Sequence, residues 1–191
     1  MVLLSSVLLI VPSIILAFVC AFYSGDIMGI LHTNNVQESA EFFGIFMFAF
    51  VSLATTIIFG TLLTANGSLK EMNWIAGIAL LINIIINLIL IPRFYAKGAA
   101  IACLATQSFV AIAQIVVSVK LLKLKVNYRV IFLLLIFSAG LLALCILVKS
   151  LNIEWYIGFG TIIITGMIFA ILIRLLNLKV IYQILKFGDQ Q

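Results

Sequence analysis

The sequence predicts an all-α integral membrane protein with six transmembrane helices and both termini on the cytoplasmic side. Its 191 residues are 65% apolar and only 9% charged, whereas a soluble domain is typically ~45–50% apolar and ~25% charged. The mean hydropathy is +1.36, and the apolar residues form continuous runs instead of the alternation that β-barrel strands show over ~10 residues. So few charges cannot cover the surface of a soluble protein of this size, which excludes a soluble enzyme and a disordered chain.

Six apolar runs approach or exceed the ~20 residues that a helix needs to cross the hydrocarbon core. We predict membrane helices at residues 2–24, 42–64, 74–94, 98–119, 130–149 and 155–176. Together they form one membrane region over residues 1–176, because the connections are too short to hold a soluble domain. Residues 177–191 place Leu178, Ile181 and Leu185 on one helical face. This pattern predicts an amphipathic cytoplasmic tail, either lying on the leaflet or extending the sixth helix.

The distribution of basic residues predicts which side of the membrane each connection faces. The face that carries both termini holds eight of the eleven Lys and Arg residues, and the opposite face holds three. The positive-inside rule therefore puts both termini in the cytoplasm. Residues 25–41 carry Asp26, Glu38 and Glu41 with no Lys or Arg, and are predicted to form an outer, solvated loop. The net charge of +5 is not gathered into a basic run with interleaved aromatics, so the pattern does not predict nucleic-acid binding.

Every Asp, Glu, Lys and Arg, and the single His32, falls in a predicted connection or at a helix end. Ionisable groups inside a membrane are costly and usually functional. Their placement argues against an intramembrane carboxylate for a proton or sodium ion, a Ser–His–Asp arrangement and paired catalytic carboxylates. Cys20, Cys103 and Cys145 lie far apart in apolar runs and are interpreted as packing residues. The sequence therefore predicts no enzyme activity, no metal and no cofactor.

Neutral polar side chains form two rows at helical spacing. Asn83 and Asn87 share a face of the third predicted helix, and Gln107 and Gln114 share a face of the fourth. One interpretation is hydrogen bonding between helices, which contributes about 0.6 kcal/mol on average in a membrane. The other is a hydrated cavity in which the amides contact a hydroxyl-rich substrate. Spacing alone does not separate the two.

Small residues form a further row along the second predicted helix. Ser52, Thr56, Gly60 and Thr64 recur every four positions. Such rows let helix backbones approach closely. The same row also suits a surface that slides in a transporter moving between two states, and we expect close packing.

Residues 80–107, LLINIIINLILIPRFYAKGAAIACLATQ, carry a motif that resembles a known family. Two Asn four residues apart precede an Ile-Pro-basic-aromatic sequence with Pro92 and Arg93, and Gly98 opens the Gly-Ala-Ala-Ile-Ala of the next helix. The segment GTLLTANG at residues 60–67 is also similar. The pattern resembles the C-terminal region of Wzx-type oligosaccharide flippases, in the multidrug/oligosaccharidyl-lipid/polysaccharide exporter superfamily. Tyr95 stands where that family usually has glycine, which predicts a differently shaped turn.

The resemblance implies the last six helices of a two-lobed flippase that moves undecaprenyl-diphosphate-linked oligosaccharide across the bacterial cytoplasmic membrane. The implied partners are membrane lipids, that lipid-linked substrate, and a missing N-terminal lobe or partner chain. We expect the chain to be a C-terminal part that does not transport alone, because alternating access needs two bundles around one site. The alternatives are a fragment of a cation-coupled multidrug exporter and a non-transporting membrane scaffold. A membrane acyltransferase lacks a credible catalytic group here.

Overall fold

The computed structural model describes residues 2–31, 36–124, 127–151, 153–173 and 175, with side chains from residue 5 onward. Within them every regular element is a helix: α1 (Val2–Phe22), α2 (Ser24–Leu31), α3 (Val36–Ala65), α4 (Leu69–Leu121), α5 (Tyr128–Ser150) and α6 (Trp155–Leu172). Five of the described helices, all except α2, are long and apolar enough to cross a membrane. The protein is therefore an all-helical, multi-pass membrane protein. His32, Lys125 and the predicted tail at 177–191 lie outside the described residues.

The chain forms two compact units, Met1–Val126 and Asn127–Gln191. In the first unit α1 packs on α3. The Phe18 and Phe48 rings meet edge to face with their centroids 5.3 Å apart, and a Cβ added to Gly44 would lie 3.7 Å from the Cα of Ala21. Phe18 of α1 contacts Phe48 of α3, and the later residue Ala21 contacts the earlier residue Gly44. The two helices are therefore antiparallel.

Residues 25–41 were predicted to form a loop, and this part of the prediction was wrong, because residues 25–31 and 36–41 are helical. Helix α2 follows α1 after the single residue Tyr23, and α3 already begins at Val36. Helix α2 packs on α3 and buries Met28. Tertiary packing of this apolar residue outweighs the acidic residues that indicated a loop.

Helix α4 spans 53 residues, which would measure roughly 80 Å if it were straight, far more than the ~30 Å hydrocarbon core. It is broken at Tyr95, whose φ of 48° and ψ of −128° are not helical. We call residues 69–94 the first arm and 96–121 the second arm. Asn83 and Thr106, which lie 12 residues before and 11 residues after the break, are hydrogen-bonded at 3.1 Å. The two arms therefore fold back on each other as an antiparallel hairpin.

The tip of this hairpin requires a glycine at position 98. A Cβ on Gly98 would lie 2.5 Å from the carbonyl oxygen of Leu90, so the second arm begins in backbone contact with the end of the first. The first arm continues through Pro92 to residue 94, where the predicted helix 74–94 also ends, and breaks at Tyr95. A helix can accommodate proline with one missing hydrogen bond and a kink, whereas it cannot continue through a residue with positive φ.

Helix α3 and the second arm run parallel. Three pairs connect them: Lys97 Nζ to Glu41 Oε2 at 2.7 Å, Ser52 Oγ to Ser108 Oγ at 3.1 Å, and Gln114 Oε1 at 3.3 Å from a Cβ placed on Gly60. The residue numbers rise together on both helices, with Glu41 paired to Lys97 at one end. The four long segments of the first unit therefore alternate in direction along the chain.

The reversal between α3 and α4 is made by a glycine helix cap. Gly67 has a φ of 75°, and its N–H donates to the carbonyl of Thr64 at 2.9 Å while the Ser68 N–H donates to that of Leu63 at 3.0 Å. This pair of bonds is the Schellman motif, which satisfies the last carbonyls of a helix. The GTLLTANG segment is thus a helix end followed by its cap.

The second unit is a hairpin of α5 and α6. Helix α5 begins after Asn127, whose side-chain oxygen accepts a hydrogen bond from the Arg129 N–H at 3.1 Å and so caps the helix. The rings of Phe137 and Phe169 stack with centroids 5.8 Å apart. A Cβ on Gly140 would lie 2.6 Å from the Phe169 ring. These contacts pair a middle segment of α5 with the late part of α6. Only residues 151–154 separate the two helices, and so short a connection joins antiparallel neighbours.

Replacing Gly98 with alanine is expected to destabilise the protein by about 2 kcal/mol, because the new methyl group would collide with backbone atoms that cannot rotate away. The measurement is unfolding in detergent by denaturant or heat. Gly77→Ala is the matched control, since Gly77 lies in the first arm with no atom within 4 Å of an added Cβ. Gly77→Ala is expected to be neutral or slightly stabilising. Equal effects of the two substitutions would contradict the hairpin.

Replacing Tyr95 with glycine is expected to stabilise the protein by about 1 kcal/mol. A residue with a Cβ is strained in this conformation by ~1–3 kcal/mol, and glycine relieves the strain while costing ~0.5–1 kcal/mol of chain entropy. Tyr95 is 78% exposed, so few contacts are lost. Tyr95→Ala keeps the Cβ and should not stabilise the protein, and a gain as large as that of glycine would show that the backbone conformation is not the cause.

Candidate functional site

A chain of side-chain hydrogen bonds crosses the α4 hairpin. Asn87 Nδ2 donates to Asn83 Oδ1 at 2.9 Å, Asn83 Nδ2 donates to Thr106 Oγ1 at 3.1 Å, and Thr106 Oγ1 donates to the carbonyl of Ala102 at 2.8 Å. We call Asn83, Asn87 and Thr106 the hairpin network. All three bonds point in the same direction, from the first arm into the backbone of the second.

The sequence folds this way because small residues bring the two arms together. Gly98 and Ala102 are buried, and Thr106 continues their four-residue spacing along the same face. The two asparagines are one helical turn apart on the first arm, so their amides reach each other and one of them reaches across. Sequence reasoning missed Thr106, although the Gly98–Ala102 row would have indicated it if it had been extended by one turn.

The network retains unused hydrogen-bonding capacity. Asn87 is half-buried, and its Oδ1 accepts no hydrogen bond from the residues that the structure describes. An amide offers two donors and an acceptor oxygen with two lone pairs, so Asn87 uses one of its donors and keeps the rest. In an apolar environment such groups require a partner. The free oxygen of Asn87 therefore marks the point at which a hydroxyl or water would bind.

The structure separates the four amides that the sequence grouped as candidate cavity residues. Asn83 and Asn87 lie together in the hairpin network. Gln114 is buried beside Gly60 of α3, at another face of the second arm. Gln107 is half-buried. Only the two asparagines are brought into direct hydrogen-bond contact with each other.

The hairpin motif residues lie at one end of the unit. Pro92 and Arg93 are exposed and Gly98 is buried. Lys97 next to them pairs with Glu41, both side chains about half exposed. Exposed ion pairs contribute ~0–1 kcal/mol, so this pair adds little to stability. It shows that Glu41 and Lys97 lie at the same end of the bundle.

The chemistry available in the hairpin network is hydrogen bonding. Its side chains are two amides and a hydroxyl, none of which titrates near neutral pH. Among the described residues no group of three or more His, Cys, Asp or Glu side chains is placed to hold a metal ion. The network suits recognition of a neutral, hydroxyl-bearing molecule or attachment of one helix to another.

The fold and its apolar surface define a multi-pass helical membrane protein, and the hairpin network is the longest chain of side-chain hydrogen bonds among the described residues. No family model, no curated protein and no solved structure matches the chain. The function is therefore argued from the network and from the sequence motif that surrounds it.

Replacing Thr106 with valine is expected to destabilise the protein by about 0.6 kcal/mol, and by no more than about 1.7 kcal/mol, the range for single hydrogen bonds between membrane helices. The substitution keeps the shape of the side chain and removes the acceptor for Asn83. Thr61→Val is the control, because the Thr61 hydroxyl is exposed and donates to its own helix. Equal unfolding free energies for the two variants would show that the Asn83–Thr106 bond does not hold the arms together.

Proposed function

We propose that this chain is the C-terminal part of a membrane transporter that flips lipid-linked oligosaccharide across the cytoplasmic membrane. One observation carries the proposal: a pair of asparagines with unused hydrogen-bonding capacity lies within an apolar helical hairpin. The same hairpin bears the motif at residues 80–107 that resembles the Wzx-type flippases. Polar residues inside a membrane are costly and are often functional.

The proposed topology has six membrane crossings with both termini in the cytoplasm. The two arms of α4 count as separate crossings in this proposal, since each has the length that a bilayer requires. The alternation of direction among the four segments of the first unit supports the count. The ion pair between Glu41 and Lys97 supports placing residues 25–41 and 93–97 on the same side, and the excess of basic residues on the opposite side supports a cytoplasmic location there.

The proposed substrate fits the chemistry of the network. Sugar hydroxyls both donate and accept hydrogen bonds, as primary amides do, and an undecaprenyl tail remains in the lipid while its glycan crosses. A second lobe or partner chain completes the pathway, because alternating access requires two bundles around one site. Accordingly, the chain purified alone and placed in liposomes is not expected to flip lipid-linked glycan.

The test measures binding of an undecaprenyl-diphosphate-linked oligosaccharide to the chain in lipid nanodiscs. Asn87→Ala removes the free amide and leaves the Asn83–Thr106 bond in place, and Asn83→Leu with Asn87→Leu removes both amides. Loss of one to two hydrogen bonds of about 1 kcal/mol each is expected to weaken binding roughly five- to thirtyfold. Asn73→Leu on the same arm, at an exposed position, is the control.

Binding that is unchanged in both Asn variants, each of them folded, would refute the role of the network in recognition. Robust glycan flipping by this chain alone would refute the need for a second lobe. Either result is read alongside Asn73→Leu, which is expected to bind as the parent does.

A membrane scaffold without transport activity is the second candidate, and one observation favours it. Asn83 donates a hydrogen bond to Thr106 inside the hairpin, as an amide with a purely structural role would. A scaffold predicts no glycan binding by the parent chain. It also predicts that the variant with Leu at 83 and 87 keeps its cellular function.

A further inference from the structure

A second set of polar side chains lies between α3 and the second arm of α4. We call Thr56, Gln114 and Ser118 the seam group. The two helices run parallel with Ser52 opposite Ser108 and Gly60 opposite Gln114. Thr56, midway between Ser52 and Gly60 on α3, therefore lies level with about residue 111 of the second arm. The seam group therefore extends along roughly 10 Å of the helix axis.

The polar atoms of the seam group lack protein partners. Thr56 Oγ1, Gln114 Oε1 and Ser118 Oγ are buried and form no hydrogen bond with the residues that the structure describes. Gln114 is 5% exposed and Ser118 is 0% exposed. The neighbouring hydroxyls of Thr55 and Thr64 donate to the carbonyl four residues earlier in their own helix, the usual solution in an apolar helix. The hydroxyls of Thr56 and Ser118 do not form this bond to a carbonyl of their own helix.

The amide oxygen of Gln114 is turned into the seam. A Cβ on Gly60 would lie 3.3 Å from Gln114 Oε1 and 3.6 Å from its Nε2, so the amide occupies the space that a side chain at position 60 would fill. Ala111, one turn earlier on the second arm, is small and buried. The seam is thus lined by the small residues Gly60 and Ala111, with the amide oxygen of Gln114 directed into it. The buried hydroxyls of Thr56 and Ser118 lie along the same stretch of the two helices.

We propose that this seam is a binding site for ordered water. Water molecules bonded to one another donate to the amide oxygen of Gln114 and accept from the hydroxyls of Thr56 and Ser118, which satisfies all three. A water bonded on both sides spans roughly 5.5 Å, close to the ~6 Å rise between residues four apart on a helix. A short file of water therefore fits the spacing of the group.

Water fits this site better than a metal cation. All three oxygens are neutral, α3 carries no acidic residue after Glu41, and the second arm carries none. A buried cation without a counter-charge is strongly disfavoured, and calcium or magnesium sites normally include carboxylates.

The experiment measures transfer of magnetisation from water to the side-chain amide protons of Gln114, in the full chain in detergent micelles. The chain is deuterated and labelled with ¹⁵N-glutamine, and spectra in the laboratory and rotating frames distinguish bound water from proton exchange. A bound water at Oε1 lies within range of the Nε2 protons, because both atoms are on the same carbon. We expect a signal from long-lived water at Gln114.

The combined substitution of Thr56→Val and Ser118→Ala removes both hydroxyls with little change in shape and is expected to reduce the transfer at least threefold. Thr56→Val alone should reduce it partially, and it serves if the double variant does not fold. Thr55→Val is the matched control, because the Thr55 hydroxyl is bonded within α3, and should leave the transfer unchanged.

Three results would overturn the proposal. The first is a visible Gln114 amide that receives no magnetisation from water. The second is transfer that is unchanged in the folded double variant. The third is a Gln114 signal that shifts when choline chloride is replaced by sodium chloride, which would assign the seam to a cation.

Discussion

The two arms of α4 touch at their backbones where Gly98 meets Leu90, and they are joined deeper in the hairpin by the Asn83–Thr106 hydrogen bond. The position of the second arm follows from this contact, because the chain reverses within one residue at Tyr95. The second arm in turn packs along α3, which also carries α1 and α2. The arrangement of the first unit therefore depends on the close approach that Gly98 allows.

The second arm has two polar faces, which differ in whether their polar groups are hydrogen-bonded. The face toward the first arm satisfies its polar groups through the hairpin network, which ends in a backbone carbonyl. The face toward α3 leaves three buried polar atoms without partners among the described residues. Because a lipid environment offers no replacement hydrogen bonds, these two faces are the places where the molecule has to bind something or hold two helices together. The proposed glycan and water sites follow from this requirement.

The sequence predicted most of the helical architecture and less of the polar contacts. Continuous apolar runs are a strong signal, and the separate runs at 74–94 and 98–119 predicted the break that lies at Tyr95. The helix α2 was missed because the acidic residues of 25–41 indicated a solvated loop, whereas the packing of Met28 is revealed only by the tertiary structure. Spacing placed Asn83 and Asn87 on one face, but it did not show that Gln114 faces α3, since helix rotation is set by neighbours.

The central claim, that α4 is a hairpin and not one continuous helix, is tested most directly by a distance between spin labels at residues 78 and 112. Ile78 and Ile112 are 44% and 62% exposed, so labels fit there after the three native cysteines are replaced by alanine. Packed arms have axes ~8–10 Å apart, which predicts a label distance below about 25 Å. A continuous helix would separate these positions by about 51 Å, and a distance near that value would contradict the account.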